Sequence, residues 1–164
     1  MQKTASCVTN SVLRPSPKGY KPSADSHLLT FPDDPVTLRG EGDFALSVRH
    51  YYRVWRGTSR SRWKVSTTAY YYELQTGAGA EIISFHWHPE QRSLVTFPHL
   101  HIGSGAGVKI LQGFRTAHLP TPRTLLEDFL WILLEDFDVQ PERADWRKAL
   151  QEGRAHFEAE STWG

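Results

Sequence analysis

From Phe44 onward the chain runs in short stretches rich in β-branched and aromatic residues, divided by turn-forming ones. "FALSVRHYYRVW" is closed by "GTSRS", and "RWKVSTTAYYYELQ" by "TGAG"; "EIISFHWH" and "FPHLHIG" follow. These are four strand signals, and the short turns between neighbours predict an antiparallel meander. After "HLPTPRT" the period becomes helical, with Leu125, Leu126, Phe129, Leu130, Leu133 and Phe137 on one face. Thr121 is placed to cap this helix and Pro122 to open it. A second helix is predicted from near Pro141, with Trp146, Leu150 and Phe157 as its apolar positions. Before Phe44 there is no usable period. Residues 1–38 hold Pro15, Pro17, Pro22, Pro32 and Pro35 among many Ser and Thr, which predicts an extended or partly disordered proline-rich arm laid on the rest. The fold expected is α+β: one domain, residues 39–164, with a twisted antiparallel β-sheet of four or five strands packed against two C-terminal helices.

Composition bounds this picture. At 164 residues and 39% hydrophobic, with six Trp, six Tyr and eight Phe, the chain can build a real core. Its one cysteine, Cys7, makes no internal disulfide, and no signal-like apolar run stands near the start, so a reducing cytoplasm is expected. The run Leu125 to Leu134 is interrupted by Glu127 and Asp128 and is too short to span a bilayer. The net charge of +1 conceals an asymmetry. Residues 39–118 carry ten Lys/Arg against five Asp/Glu, whereas residues 119–164 carry five against ten. A basic middle points to an anionic partner.

The chemistry concentrates in "FHWHPEQRSLVTFPHLHIG", which holds half of the eight histidines as two His-x-His pairs. On a strand, residues i and i+2 share a face. His86 and His88 then stand opposite Phe85 and Trp87, and His99 and His101 opposite Leu100 and Ile102. If the two strands pair, one sheet face holds all four imidazoles. Three readings follow. The face could be merely polar, with hydrogen-bonded rings. It could be a metal centre for a divalent ion such as zinc, ligated by His86, His88, His99 and His101 with Glu90 nearby, although no recognised signature is complete. It could be a cofactor-free acid–base site, as a metal-independent ribonuclease needs to activate a ribose 2′-hydroxyl and protonate the leaving 5′-oxygen.

An anionic substrate would find cations nearby. Arg49, Arg53, Arg56, Arg60, Arg62 and Lys64 lie in one stretch free of acids, interleaved with Tyr51, Tyr52, Trp55 and Trp63. Arg49, Tyr51, Arg53 and Trp55 would share a face. Arginine grips phosphate and aromatic rings stack on unpaired bases, which would serve a ribonuclease or a non-enzymatic nucleic-acid-binding module alike; the plainer reading is a charged, solvated sheet edge. Arg115, His118 and Arg123 flank the start of the long helix, where backbone N–H groups also favour an anion. "GSGAG" lacks the lysine and the strand-then-helix setting of a phosphate loop. The acids Glu127, Asp128, Glu135, Asp136 and Asp138 are read as a solvated helix face, and no nucleophile elbow is present.

"YYYELQTGAGAEIISFHWHPE" followed by "TFPHLHIG" resembles the TumE-like toxins of prokaryotic toxin–antitoxin loci. The matching positions are Tyr70, Tyr72, Gly79, Ile82, His88, Pro89, Glu90, Pro98, His99, His101 and Gly103. The likeness covers about residues 44–136, with its core in 70–103. The resemblance implies a small cytoplasmic toxin that acts on RNA and is restrained by a cognate antitoxin, with a homodimer one admissible assembly. It also implies His99 and His101 as the catalytic acid and base, with His88 assisting. Arg53, Arg62 and Arg115, with His118 and Arg123 as further contacts, would then bind the substrate phosphate.

Overall fold

The computed structural model describes residues 1–56, 63–89, 94–107, 117–160 and 162–163. Among these, helix α1 is Gln2–Ala5 and strands β1 to β3 are Arg14–Pro15, His27–Thr30 and Val36–Thr37. The long hairpin β4 (Phe44–Trp55) and β5 (Lys64–Thr76) follows, then β6 (Glu81–Trp87) and β7 (His99–Ile102). A 3₁₀ turn at Ser104–Ala106, β8 (Leu119–Pro120), α2 (Leu126–Asp136), α3 (Trp146–Glu160) and β9 (Thr162–Trp163) complete the described chain. The class is α+β, as the residue pattern predicts. The sheet order is β1-β2-β4-β5-β6-β7-β8, with β3 beside β4 and β9 beside β5. Eight strands are antiparallel and β9 runs parallel to β5. No helix among the described residues is long and apolar enough to cross a membrane.

The sheet is larger than the four or five strands expected, and the reason lies in the leader. Residues 1–38 were expected as an arm outside the domain. Instead β2 pairs with β4 and β3 with its beginning. Cys7, Val8, Leu13, Phe31, Val36 and Leu38 are buried in the common core. Proline-rich sequence still forms two-residue edge strands, because an edge strand leaves one side of its backbone without a ladder partner.

Alternation along the strands gives the sheet two unlike faces. In one cross-strand row Val48, Tyr72, Phe85 and Leu100 stand side by side. This face is covered by α2: Phe129 meets Tyr72 at 6.0 Å and Phe85 at 5.7 Å between ring centroids. The adjacent row is Arg49, Tyr71, His86 and His99, and it faces the other way. Farther along, the register slips: Tyr51 pairs with Ala69 and Tyr52 with Thr67, so Thr68 is an extra residue on β5. The bulge falls on β5, so β4 keeps its alternation and carries Arg49, Tyr51, Arg53 and Trp55 on the open face.

Helix α2 starts at Leu126, not near Thr121. The intervening segment commits its donors across the sheet. Thr121 N–H donates to the Pro98 carbonyl at 2.9 Å, and Thr124 N–H donates to the buried Tyr70 hydroxyl at 2.9 Å. Asp128 then accepts from Leu125 N–H at 3.4 Å, half of a capping box. The second long helix likewise begins at Trp146 rather than Pro141. Glu142 N–H is taken by the Cys7 carbonyl at 2.9 Å, which holds that approach out of the helix. One acid expected in solvent is not there: Glu127 is buried and accepts from Thr4 Oγ1 at 2.7 Å.

Candidate histidine centre

Strands β6 and β7 pair with His86 opposite His99 and Ser84 opposite His101. His88 follows the end of β6, and His118 immediately precedes β8, which pairs with β7 through His99 and Pro120. Five imidazoles therefore converge at one end of the open face. Ring centroids lie 4.9 Å apart for His86–His101, 5.4 Å for His88–His99, 4.9 Å for His99–His101 and 4.7 Å for His101–His118. Gly103 makes this approach feasible. A Cβ there would collide with the Glu81 carbonyl oxygen, and its N–H donates to the Ile82 carbonyl at 2.9 Å.

His99 is the hub and is 1% exposed. Its Nδ1 lies 2.8 Å from the Phe97 carbonyl oxygen. A carbonyl only accepts, so Nδ1 carries the proton, and the neutral ring keeps its Nε2 lone pair aimed into the cluster. Among the described residues that Nε2 has no hydrogen-bond partner, and neither do the buried His86 Nε2 and His88 Nδ1. One ring nitrogen each from His86, His88 and His99 lie within 4.8 Å of one another, and so do those of His99, His101 and His118.

Burial and mutual repulsion hold the cluster neutral. Burial first, then the neighbouring His101, His99 and His88, lowers the His86 pKa to about 3. Burial, then His99 and His118, lowers that of His101 to about 4. His99 is lowered too, mainly by burial. At neutral pH these three rings rest unprotonated, as bases or ligands, and donate a proton only after taking one up.

Tyr71 floors the approach. Its ring stacks on His88 at 5.4 Å, with planes 4° apart, and lies 4.9 Å from His86. The Arg49 guanidinium sits 5.3 Å over the same ring and 3.9 Å from Glu73. Arg53, expected as a phosphate contact, is on this face opposite Ser66. His118, also expected, stands exposed at the rim of the cluster. Arg123 is not among the imidazoles: it packs 4.2 Å over Trp87, whose ring belongs to the covered face. Arg60, Arg62, Glu90 and Arg115 lie outside the described residues. Sequence reasoning counted Arg49 among the cations and allowed one of Tyr70, Tyr71 and Tyr72 to reach the histidine face, but it set neither Arg49 nor Tyr71 beside His86. Their signal was the register, since only the pairing of β4, β5 and β6 sets Arg49 and Tyr71 beside His86.

Comparison with family models, with curated proteins and with solved structures finds no match to this chain.

Proposed function

We propose that the chain binds single-stranded RNA along the open sheet face and cleaves it at the histidine centre. One observation carries the reading: the row Arg49, Tyr71, His86 and His99 sets a cation, a stacking ring and neutral imidazoles side by side on the sheet face away from α2. The face extends away from the centre through Tyr51, Arg53 and Trp55. From Arg49 to Trp55 this is about 20 Å of strand, room for a few nucleotides. Trp55 and Trp63 are 43% and 51% exposed, and Lys64 sits 5.7 Å over the Trp55 ring. Exposed rings stack bases without regard to sequence, and the cations meet phosphates.

The chemistry suits neutral imidazoles. The ribose 2′-oxygen attacks phosphorus, and an unprotonated ring nitrogen takes the 2′-proton. The bond from phosphorus to the 5′-oxygen breaks, and that oxygen receives a proton from the cluster. The products are a 2′,3′-cyclic phosphate and a 5′-hydroxyl, with the proton balance closed and no water consumed. His101 and the exposed His118 lie 4.7 Å apart by ring centroid, which allows a proton taken at one ring to leave through the other. Within this reading His99 and His101 keep the acid–base roles and His88 assists. A toxin paired with an antitoxin is the biological setting that the 70–103 resemblance suggests.

The test is cleavage of a fluorogenic single-stranded RNA. The wild type is expected to cut it, leaving cyclic phosphate ends. His101→Ala is expected to lower the rate by about 100-fold or more, the usual contribution of a positioned proton-transfer group, with RNA affinity changed little. A folded wild type that neither binds nor cuts RNA overturns the reading.

A further inference from the structure

The geometry points to a divalent metal site of the zinc class, ligated by His86 Nε2, His88 Nδ1 and His99 Nε2. The ground is the unpaired nitrogens. A buried polar nitrogen left without a partner is destabilising, and sequences seldom keep three such atoms together. Here all three belong to adjacent rings, and one nitrogen of each ring lies within 4.8 Å of one nitrogen of the other two. Around a tetrahedral ion at about 2.0–2.1 Å from each ligand, nitrogens lie about 3.4 Å apart. Modest rotations about the side-chain bonds close the difference.

The surroundings are those of a ligand set. The Phe97 carbonyl fixes the His99 tautomer and orients the ring, the outer contact that metal-bound histidines ordinarily have. Neutral imidazole selects zinc, copper, nickel or cobalt over the oxygen-seeking calcium and magnesium. The overlapping set of His99, His101 and His118 also satisfies the distances, but only His99 within it has a buried, unpaired nitrogen. The first set is therefore the assignment, and three protein ligands leave a fourth position open, as catalytic zinc sites do. The inference deepens the proposed function, on which it rests in this respect: with an ion bound, His88 and His99 would be ligands rather than proton carriers, and His101 and His118 would be left to move the protons beside a Lewis acid.

Metal content separates the two. Untagged protein, purified without a metal column and stripped with EDTA, is titrated with Zn²⁺ alone and, for coordination, with Co²⁺ alone. One equivalent is expected, with a raised melting temperature and the intense visible bands of low-coordinate Co²⁺. His118→Ala is expected to keep the site. His86→Ala and His88→Gln, each checked for native near-ultraviolet circular dichroism, are expected to weaken zinc by more than about 100-fold, beyond what losing an outer contact costs. The assignment is overturned if folded wild type takes up no stoichiometric zinc. It is overturned equally if His118→Ala abolishes binding while His86→Ala retains it, which moves the ion to the other set. RNA cleavage enters neither measurement, so zinc binding without cleavage sinks only the functional reading, and failure to take up zinc by a protein that cleaves sinks only the metal.

Discussion

His50 shows by contrast what is unusual about the cluster. It is 4% exposed on the covered face of β4, one residue from Arg49 on the open face. Its Nδ1 lies 2.7 Å from the Tyr72 hydroxyl and its Nε2 3.2 Å from Thr67 Oγ1, so both ring nitrogens are satisfied. Burial, and secondarily the N-terminal ammonium, lowers its pKa from 6.5 to about 3. The folded state keeps His50 neutral where the unfolded chain is already protonated. The unfolded state thus binds more protons between about pH 6.5 and pH 3, and stability falls as pH falls through that window. The slope from this residue is at most about 1.4 kcal/mol per pH unit. His86 and His101, lowered to about 3 and 4, add the same sign. Urea unfolding in EDTA should show wild-type stability dropping steeply from pH 7 to pH 5. His50→Gln should start less stable but lose less over the same interval; an unchanged slope would mean that His50 does not stay neutral on folding.

Helix α2 fixes the covered face, and its cost is local. Phe129 is fully buried between Tyr72 and Phe85. Phe129→Ala should cost about 3–5 kcal/mol through lost burial and the cavity left, read as a lower urea midpoint with the same dependence on denaturant. Asp136→Ala, on the exposed side of the same helix, should stay within about 0.5 kcal/mol. The apolar positions at helical spacing were legible for this reason: burial of one stripe is what the spacing encodes. Strands β4 to β7 were legible from β-branched and aromatic runs, β4 to the residue. The two-residue strands of the leader were not, because pairing of Pro15 or Val36 depends on a neighbour far along the chain rather than on local pattern. The helix start was misplaced for the same kind of reason: Thr124 answers to Tyr70, 54 residues away. At the site, the shared face of His86, His88, His99 and His101 followed from alternation. That His118, Arg49 and Tyr71 stand beside those four rings followed only from register.

Among the described residues the molecule is a sheet with its helices on one side and, on the other, a polar face that no helix covers. The charges divide accordingly. Acids of α2 are engaged within the helical layer, Asp128 with Arg154 and Glu135 with Arg147, each at 2.6 Å. Arg49, Arg53 and Lys64 line the uncovered face along β4 and β5. An anion approaching that face meets these cations, of which Arg49 shares its charge with Glu73 at 3.9 Å. This division makes binding to single-stranded RNA, if it follows the proposed track, steeply salt-dependent. Each phosphate neutralised should contribute about −0.7 to the slope of log affinity against log salt, so three cations predict a slope near −2. Arg53→Ala should make that slope shallower by about 0.7 and weaken binding to all sequences alike. Trp55→Ala should lower affinity by about 1–3 kcal/mol while leaving the slope in place, because a lost stacking surface releases no counterion. Fluorescence anisotropy of a labelled oligonucleotide over a salt series measures both quantities. A slope unaffected by Arg53→Ala would move the RNA off this face, whatever the histidines are found to hold.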